Sequence, residues 1–254
     1  MRGRGRRVGL CVCVCAAALA LSGVAASSAS AVTFGANLGS RVPDNTTACN
    51  DPGWFFFTQF PSCSFGSQNL STGENGFPPV GRGIITKVRV RVGAVTGPMQ
   101  IVVEEALRAN NPSEPGRPTY ACCKAINASP IFTPAANQIT EVKVRLPIRQ
   151  DISPDPATGL YVDQHLSLSV LAPNVPIPAN IDPNGAFGGW FPAWTVGEER
   201  TGIYGGQGAV VLFNADWTRC PNARAADAQS AKKKKKKRSA CGAARKKKKK
   251  KKRR

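Results

Sequence analysis

Chemistry needs groups that titrate, ligate or attack, and this chain offers few of them. Its one histidine is His165, close to Asp163. A Ser–His–Asp hydrolase would use such a pair, but there is no GxSxG elbow and no serine in a recognisable nucleophile setting. The plain reading of His165 is a strand-edge histidine. The carboxylates Glu104, Glu105, Asp151, Asp155, Asp163, Asp182, Glu198 and Glu199 would have to supply any glycosidase pair. Such a pair is held about 5–9 Å apart, a distance a linear sequence does not show. Asp151-Ile-Ser-Pro-Asp155 and Asp182-Pro-Asn-Gly185 are oxygen-rich, as a calcium site requires. Both lack EF-hand spacing, and Asp-Pro and Asn-Gly are turn signals. The expectation is a protein that is not an enzyme and holds no cofactor or metal.

Cysteines and aromatics carry more. Of nine cysteines, Cys11, Cys13 and Cys15 lie in an apolar N-terminal run, leaving Cys49, Cys63, Cys122, Cys123, Cys220 and Cys241. An even number behind an export signal suggests disulfides, in a pairing that sequence leaves open. Cys49–Cys63 is the best local candidate, closing the loop that holds Trp54-Phe-Phe-Phe57. Cys122 and Cys123 would point to opposite faces of a strand, so each can seek its own partner, Cys220 being one; a vicinal bond is the strained alternative. Cys241 sits in the tail as a candidate intermolecular thiol. One histidine and no paired CxxC argue against zinc.

Trp54, Trp190, Phe191 and Trp194 stand beside loops and are the candidate ligand-binding residues, stacking flat faces on sugar rings. The competing reading is that Trp54-Phe-Phe-Phe and Trp190-Phe-Pro-Ala-Trp are core plugs. Asn45, Asn69 and Asn127 begin Asn-x-Ser/Thr sequons.

The two ends differ sharply from the middle. Arg2, Arg4, Arg6 and Arg7 precede an apolar run from Val8 to about Ala26, and Ala29-Ser-Ala31 fits a small-residue cleavage rule. Residues 1–31 therefore read as a signal peptide, with an uncleaved anchor as the rival. Residues 224–254 hold 18 Lys+Arg against one acid, Asp227, a charge of +17. Residues 32–223 carry 13 basic and 14 acidic side chains, so the high pI belongs to the tail. Its first block is Lys232, Lys233, Lys234, Lys235, Lys236, Lys237 and Arg238. Its second is Lys246, Lys247, Lys248, Lys249, Lys250, Lys251 and Lys252. Like charges at this density repel and bury no core, so disorder is expected. They also bind polyanions by counterion release. Behind a signal peptide the expected partners are anionic envelope polymers or an anionic membrane surface. Extracellular nucleic acid would be a non-specific partner, and glycans a partner of the domain. No transmembrane segment is expected after cleavage, and the expected location is secreted and surface-associated.

The elements that must position these groups read as strands. Gly83 to Leu107 looks like a central hairpin: Ile84, Thr86, Val88, Val90 and Val92 on one face, Ile85, Lys87, Arg89 and Arg91 on the other. Gly93 and Gly97-Pro98 break it, and Met99 begins the return strand. Thr140, Val142, Val144 and Leu146 form a second inward row; Leu166, Leu168 and Val170 form a third. Pro173 to Gly189 reads as irregular. Residues 32–223 are predicted to form a single all-β domain of eight to ten strands, an antiparallel β-sandwich of jelly-roll type with long loops.

Ile84 to Val103, Ala121-Cys-Cys-Lys124, Phe132-Thr-Pro-Ala-Ala-Asn137, Leu168 to Pro173, Val175-Pro-Ile-Pro178 and Asn214-Ala-Asp-Trp217 together resemble a family of uncharacterised secreted bacterial β-sandwich proteins with Lys/Arg-rich C-terminal tails. The resemblance implies a sandwich exported to the cell surface or medium, and no activity. The expected function is a non-enzymatic envelope-associated protein whose basic tail binds anionic polymers. A secreted carbohydrate-binding module and a secreted hydrolase of envelope polymers are the alternatives.

Overall fold

A computed structural model describes residues 31–51, 60–70, 74–110, 118–151, 160–200 and 204–220. The expected signal peptide except Ala31, and Trp54, Asp155, Cys241 and both lysine blocks, lie outside the described residues.

Ten strands follow one another: β1 (Val32–Gly35), β2 (Cys63–Asn69), β3 (Gly81–Arg91), β4 (Met99–Asn110), β5 (Pro118–Ala128), β6 (Ile139–Gln150), β7 (Leu160–Val170), β8 (Ala179–Trp190), β9 (Tyr204–Val211) and β10 (Phe213–Arg219). All pairings are antiparallel, and the described residues contain no helix. The strands make one sheet that curls into a half-barrel. One arm runs β1-β10-β3-β6, and the other β5-β4-β7-β2-β8-β9. The arms join where β6 meets β7, at the single pair Gln150–Asp163. The chain changes arm at every connection except β4–β5, β7–β8 and β8–β9. That alternation is jelly-roll wiring, with β8–β9 as an added hairpin.

The wiring corrects the expected central hairpin. β3 pairs β10 and β6, whereas β4 pairs β5 and β7. Residues 92–98 therefore carry the chain from one arm to the other. Val92 and Met99 take backbone partners from the segment before β6, at Gln138 and Phe132. A tight turn would have left both strands in one layer. The Pro173–Gly189 expectation also changes, since β8 occupies most of it. β8 bulges between Ile181 and Ala186, and that irregularity hides it from a period-two reading.

The core lies between the arms. Val88 and Val90 of β3, Leu146 and Ile148 of β6, and Phe213 and Ala215 of β10 meet Met99, Ile101 and Val103 of β4, and Leu166, Leu168 and Val170 of β7. The inward rows of β6 and β7 stand as the alternation predicts. On β3 the phase slips. Ile85 is buried and Thr86 exposed, the reverse of strict alternation. The register shifts between Ile85 and Lys87 against β6, and between Asp216 and Trp217 against β10. An extra residue in a ladder turns every later side chain to the opposite face. Gly83 makes room beside this bulge, because a Cβ there would fall inside the Trp217 indole.

Candidate functional site

The outer face of the β5-β4-β7 arm should meet water, as one face of an antiparallel sheet often does. It does not. After β8 the chain turns back and lays residues 197–200 along the free edge of β5. Ala125 N–H donates to Glu198 O, Gly197 N–H to Ala125 O, and Arg200 N–H to Cys123 O. This flap folds Trp194 onto the sheet beside Trp190, the last residue of β8. A second, smaller core results, built from Val102, Ala106, Cys123, Ala125, Trp190 and Trp194. The indole centroids are 5.4 Å apart, and the Arg200 guanidinium lies 4.6 Å from the Trp194 ring.

Two titratable groups are enclosed in this apolar pocket. β4 and β7 pair so that Glu104 stands opposite His165. Parity along β4 sends Ile101 and Val103 to the main core, and Val102, Glu104 and Ala106 to the outer one. The Glu104 side chain is 0% exposed and that of His165 19%. Glu104 Oε2 and His165 Nε2 lie 3.1 Å apart, and the imidazole stacks near Trp190 at 6.3 Å. Burial of the ring opposes its protonation. The hydrogen bond and the charge of Glu104, with Asp163 adding, outweigh that and hold the imidazole pKa above its ordinary value. Among the described residues, Glu104 Oε1 is buried with no hydrogen-bond partner. Cys123 completes the group: one donor atom each from Glu104, Cys123 and His165 lie within 4.8 Å of one another. Cys123 is disulfide-bonded, so its sulfur carries no charge.

The expected sites fall out as follows. Cys49 and Cys63 form a disulfide, as proposed from their spacing. Cys220 is also disulfide-bonded; Cys122 is on β5, ahead of Cys123. Trp190 and Trp194 are 2% and 4% exposed and offer no face to a sugar ring. This corrects the stacking expectation, and the flap is the reason: its pairing with β5 turns both indoles inward. Phe191 packs against the core between Phe60 and Phe65, at 5.3 and 5.5 Å. His165 pairs with Glu104 of β4, and on the other side of β7 it lies between the β6 pair at Asp163 and the β2 pairs at residues 168–170. Asp182 and Asp151 serve locally: Asp182 pairs with Arg41 and caps the turn at Asn184, and Asp151 pairs with Arg149. The Asn45 amide of the first sequon donates to Thr47 O and Ile177 O.

Separately, a cleft of 530 Å³ opens at β8–β9, lined by Asp44–Thr47, Ile181, Phe187 and the Gly205–Ala209 stretch. None of the three described ligand-binding candidates lines it; its aromatic residue is Phe187.

Seven of the thirteen basic side chains of residues 32–223 are matched within the domain as follows. Arg41 bridges Glu74 and Asp182, Arg89 pairs with Asp216, and Lys87 with Glu141. Lys124, Arg149 and Arg200 meet Glu199, Asp151 and Glu198. Arg91 donates to the carbonyls of Leu38 and Arg41.

Fold and site together define an all-β domain of jelly-roll wiring that encloses a carboxylate–imidazole pair in a second core. No family model, curated protein or solved structure matches the chain.

Proposed function

We infer that this is an exported, envelope-associated display protein in which the folded domain and the binding element are separate. The observation that carries the reading is the segregation of charge. Six of the domain's basic residues are tied to its own acids, while residues 224–254 carry +17. Polyanion binding then falls to the lysine blocks, by counterion release. The Cys49–Cys63 disulfide fits an oxidising compartment and the export reading of residues 1–31.

The test is a pull-down on isolated host envelope across a salt series, comparing residues 32–254 with residues 32–223. Binding by the longer form alone, released by salt, is the expected result. Equal, salt-resistant binding by both forms would move recognition to the domain.

A second reading, a glycan-binding module, rests on the β8–β9 cleft. Asn45, Thr46, Thr47 and Gln207 bring amides and hydroxyls to it, beside Phe187. Binding to a glycan array that Thr46→Ala plus Gln207→Ala abolishes would favour it.

A further inference from the structure

We propose that reduction of the Cys123 disulfide opens a site for one divalent transition-metal ion of the zinc class, held by Cys123 on β5, Glu104 on β4 and His165 on β7. These three strands are neighbours, and the donor atoms already lie within 4.8 Å of one another. Zinc with sulfur, nitrogen and oxygen ligands at about 2.0–2.3 Å needs donors roughly 3.3–3.8 Å apart. An adjustment of about 1 Å closes that gap. Glu104 Oε2 and His165 Nε2, at 3.1 Å, are spaced close to one edge of the tetrahedron now.

One observation points to a missing ligand: among the described residues, Glu104 Oε1 is buried without a partner in the second core. A lone buried carboxylate oxygen costs free energy that a cation would recover. Once reduced, the site also matches a divalent ion in charge: a thiolate and a carboxylate carry two negative charges and a neutral imidazole none. The donor set also suits zinc, since thiolate and imidazole favour it over magnesium or calcium.

The steps balance. A dithiol reductant supplies two electrons and two protons, is oxidised to its own disulfide, and leaves Cys123 and its former partner as thiols. On binding, the Cys123 thiol loses its proton to solvent and becomes the thiolate ligand. The imidazolium of His165 releases to solvent the Nε2 proton it shares with Glu104 Oε2, keeps its Nδ1 proton, and the ion takes the vacated place. The fourth position falls to Glu104 Oε1 or to water. In the oxidised chain the sulfur has no charge to offer, so the site is closed. Redox state therefore gates occupancy.

The test uses the full chain and cobalt(II) as a spectroscopic stand-in for zinc, with a phosphine as reductant because it competes less for metal than a dithiol. The reduced chain should take up one cobalt with a thiolate-to-cobalt charge-transfer band, and the oxidised chain should show no such band. Cys123→Ser should abolish the band. His165→Gln and Glu104→Gln should each weaken binding by about 100-fold or more. A Cys49→Ala plus Cys63→Ala chain should keep the band. The proposal fails if reduction yields no band, if the band survives Cys123→Ser, or if His165→Gln binds as tightly as the parent. Loss of the β circular-dichroism signal on reduction would also overturn it, because the site needs β4, β5 and β7 in place.

Discussion

Glu104 and His165 are register partners on β4 and β7, and their side chains meet 3.1 Å apart beneath two tryptophans. The ladder places them opposite each other; the flap removes the water. A carboxylate and an imidazole that would be an ordinary cross-strand pair on an open sheet become an enclosed ion pair. Burying such a pair is costly unless both partners are present, and Glu104 favours the charged form of His165.

The protonation state of His165 should show this directly. It is the only histidine, so its ring proton signals need no assignment. In the oxidised chain its titration midpoint should lie above the ordinary value of about 6.5, and Glu104→Gln should bring it down. The stability it lends is present in full below the unfolded-state pKa. It is lost as pH rises through the raised folded value, so the pair weakens on the alkaline side. A midpoint at or below that of a free histidine would contradict the pairing.

Gly83→Ala should destabilise the domain by about 1–3 kcal/mol, because the added methyl overpacks the Trp217 indole. Urea denaturation would measure it. Adding Trp217→Leu, which removes the obstruction, should make the glycine change nearly neutral in that background. Strict additivity of the two changes would show that the contact is not the cause.

Breaking Cys49–Cys63 by the double change to alanine should cost about 3 kcal/mol, the loop entropy expected for a separation of 14 residues. Both sulfurs belong to the main core. The midpoint of thermal unfolding should fall, with no change in envelope binding if the tail does the binding. A matching loss of envelope binding in the folded variant would point back to the domain.

Arg89 grips Asp216 with two hydrogen bonds of 2.9 and 2.8 Å, and Thr33 adds a third at 2.7 Å. The Arg89 bonds, ahead of a smaller opposing effect of burial, hold the Asp216 pKa below the ordinary carboxylate range. A depressed folded pKa stabilises above the unfolded value, and that stability is lost as pH falls through the lower folded one. Acid unfolding below about pH 4 should therefore be blunted in Asp216→Asn, which has less to lose. At neutral pH the same change should cost about 2 kcal/mol. Identical acid limbs for the two proteins would count against the pair.

Much of this was readable residue by residue. The inward rows of β6 and β7 follow from alternation, and the spacing of Cys49 and Cys63 suggested their bond. Failures cluster where a local rule is interrupted. The β3 bulge moves Ile85 inward, and the β8 bulge conceals a strand. A hairpin was expected at residues 83–107 because two strong strands flank a Gly-Pro break. Yet local sequence does not say which neighbour a strand will choose. Trp190 and Trp194 stand beside loops, which leaves both a binding face and a core plug open, and the structure makes them a core plug. The cover is the pairing of residues 197–200 with β5, more than 70 residues earlier in the chain.

The periodicity of apolar residues, which depends only on neighbours a few positions away, suffices for an all-β domain with a basic, charge-segregated tail. The Glu104–Cys123–His165 grouping depends on something else. Its members come from three strands with tens of residues between them, so their 4.8 Å proximity arises only when β4, β5 and β7 lie side by side. Burial, too, belongs to the folded chain: a carboxylate in a strand is solvated until a distant segment closes over it. Alternation is a local property and survives in one dimension, whereas desolvation and donor geometry are sums over all neighbours in space.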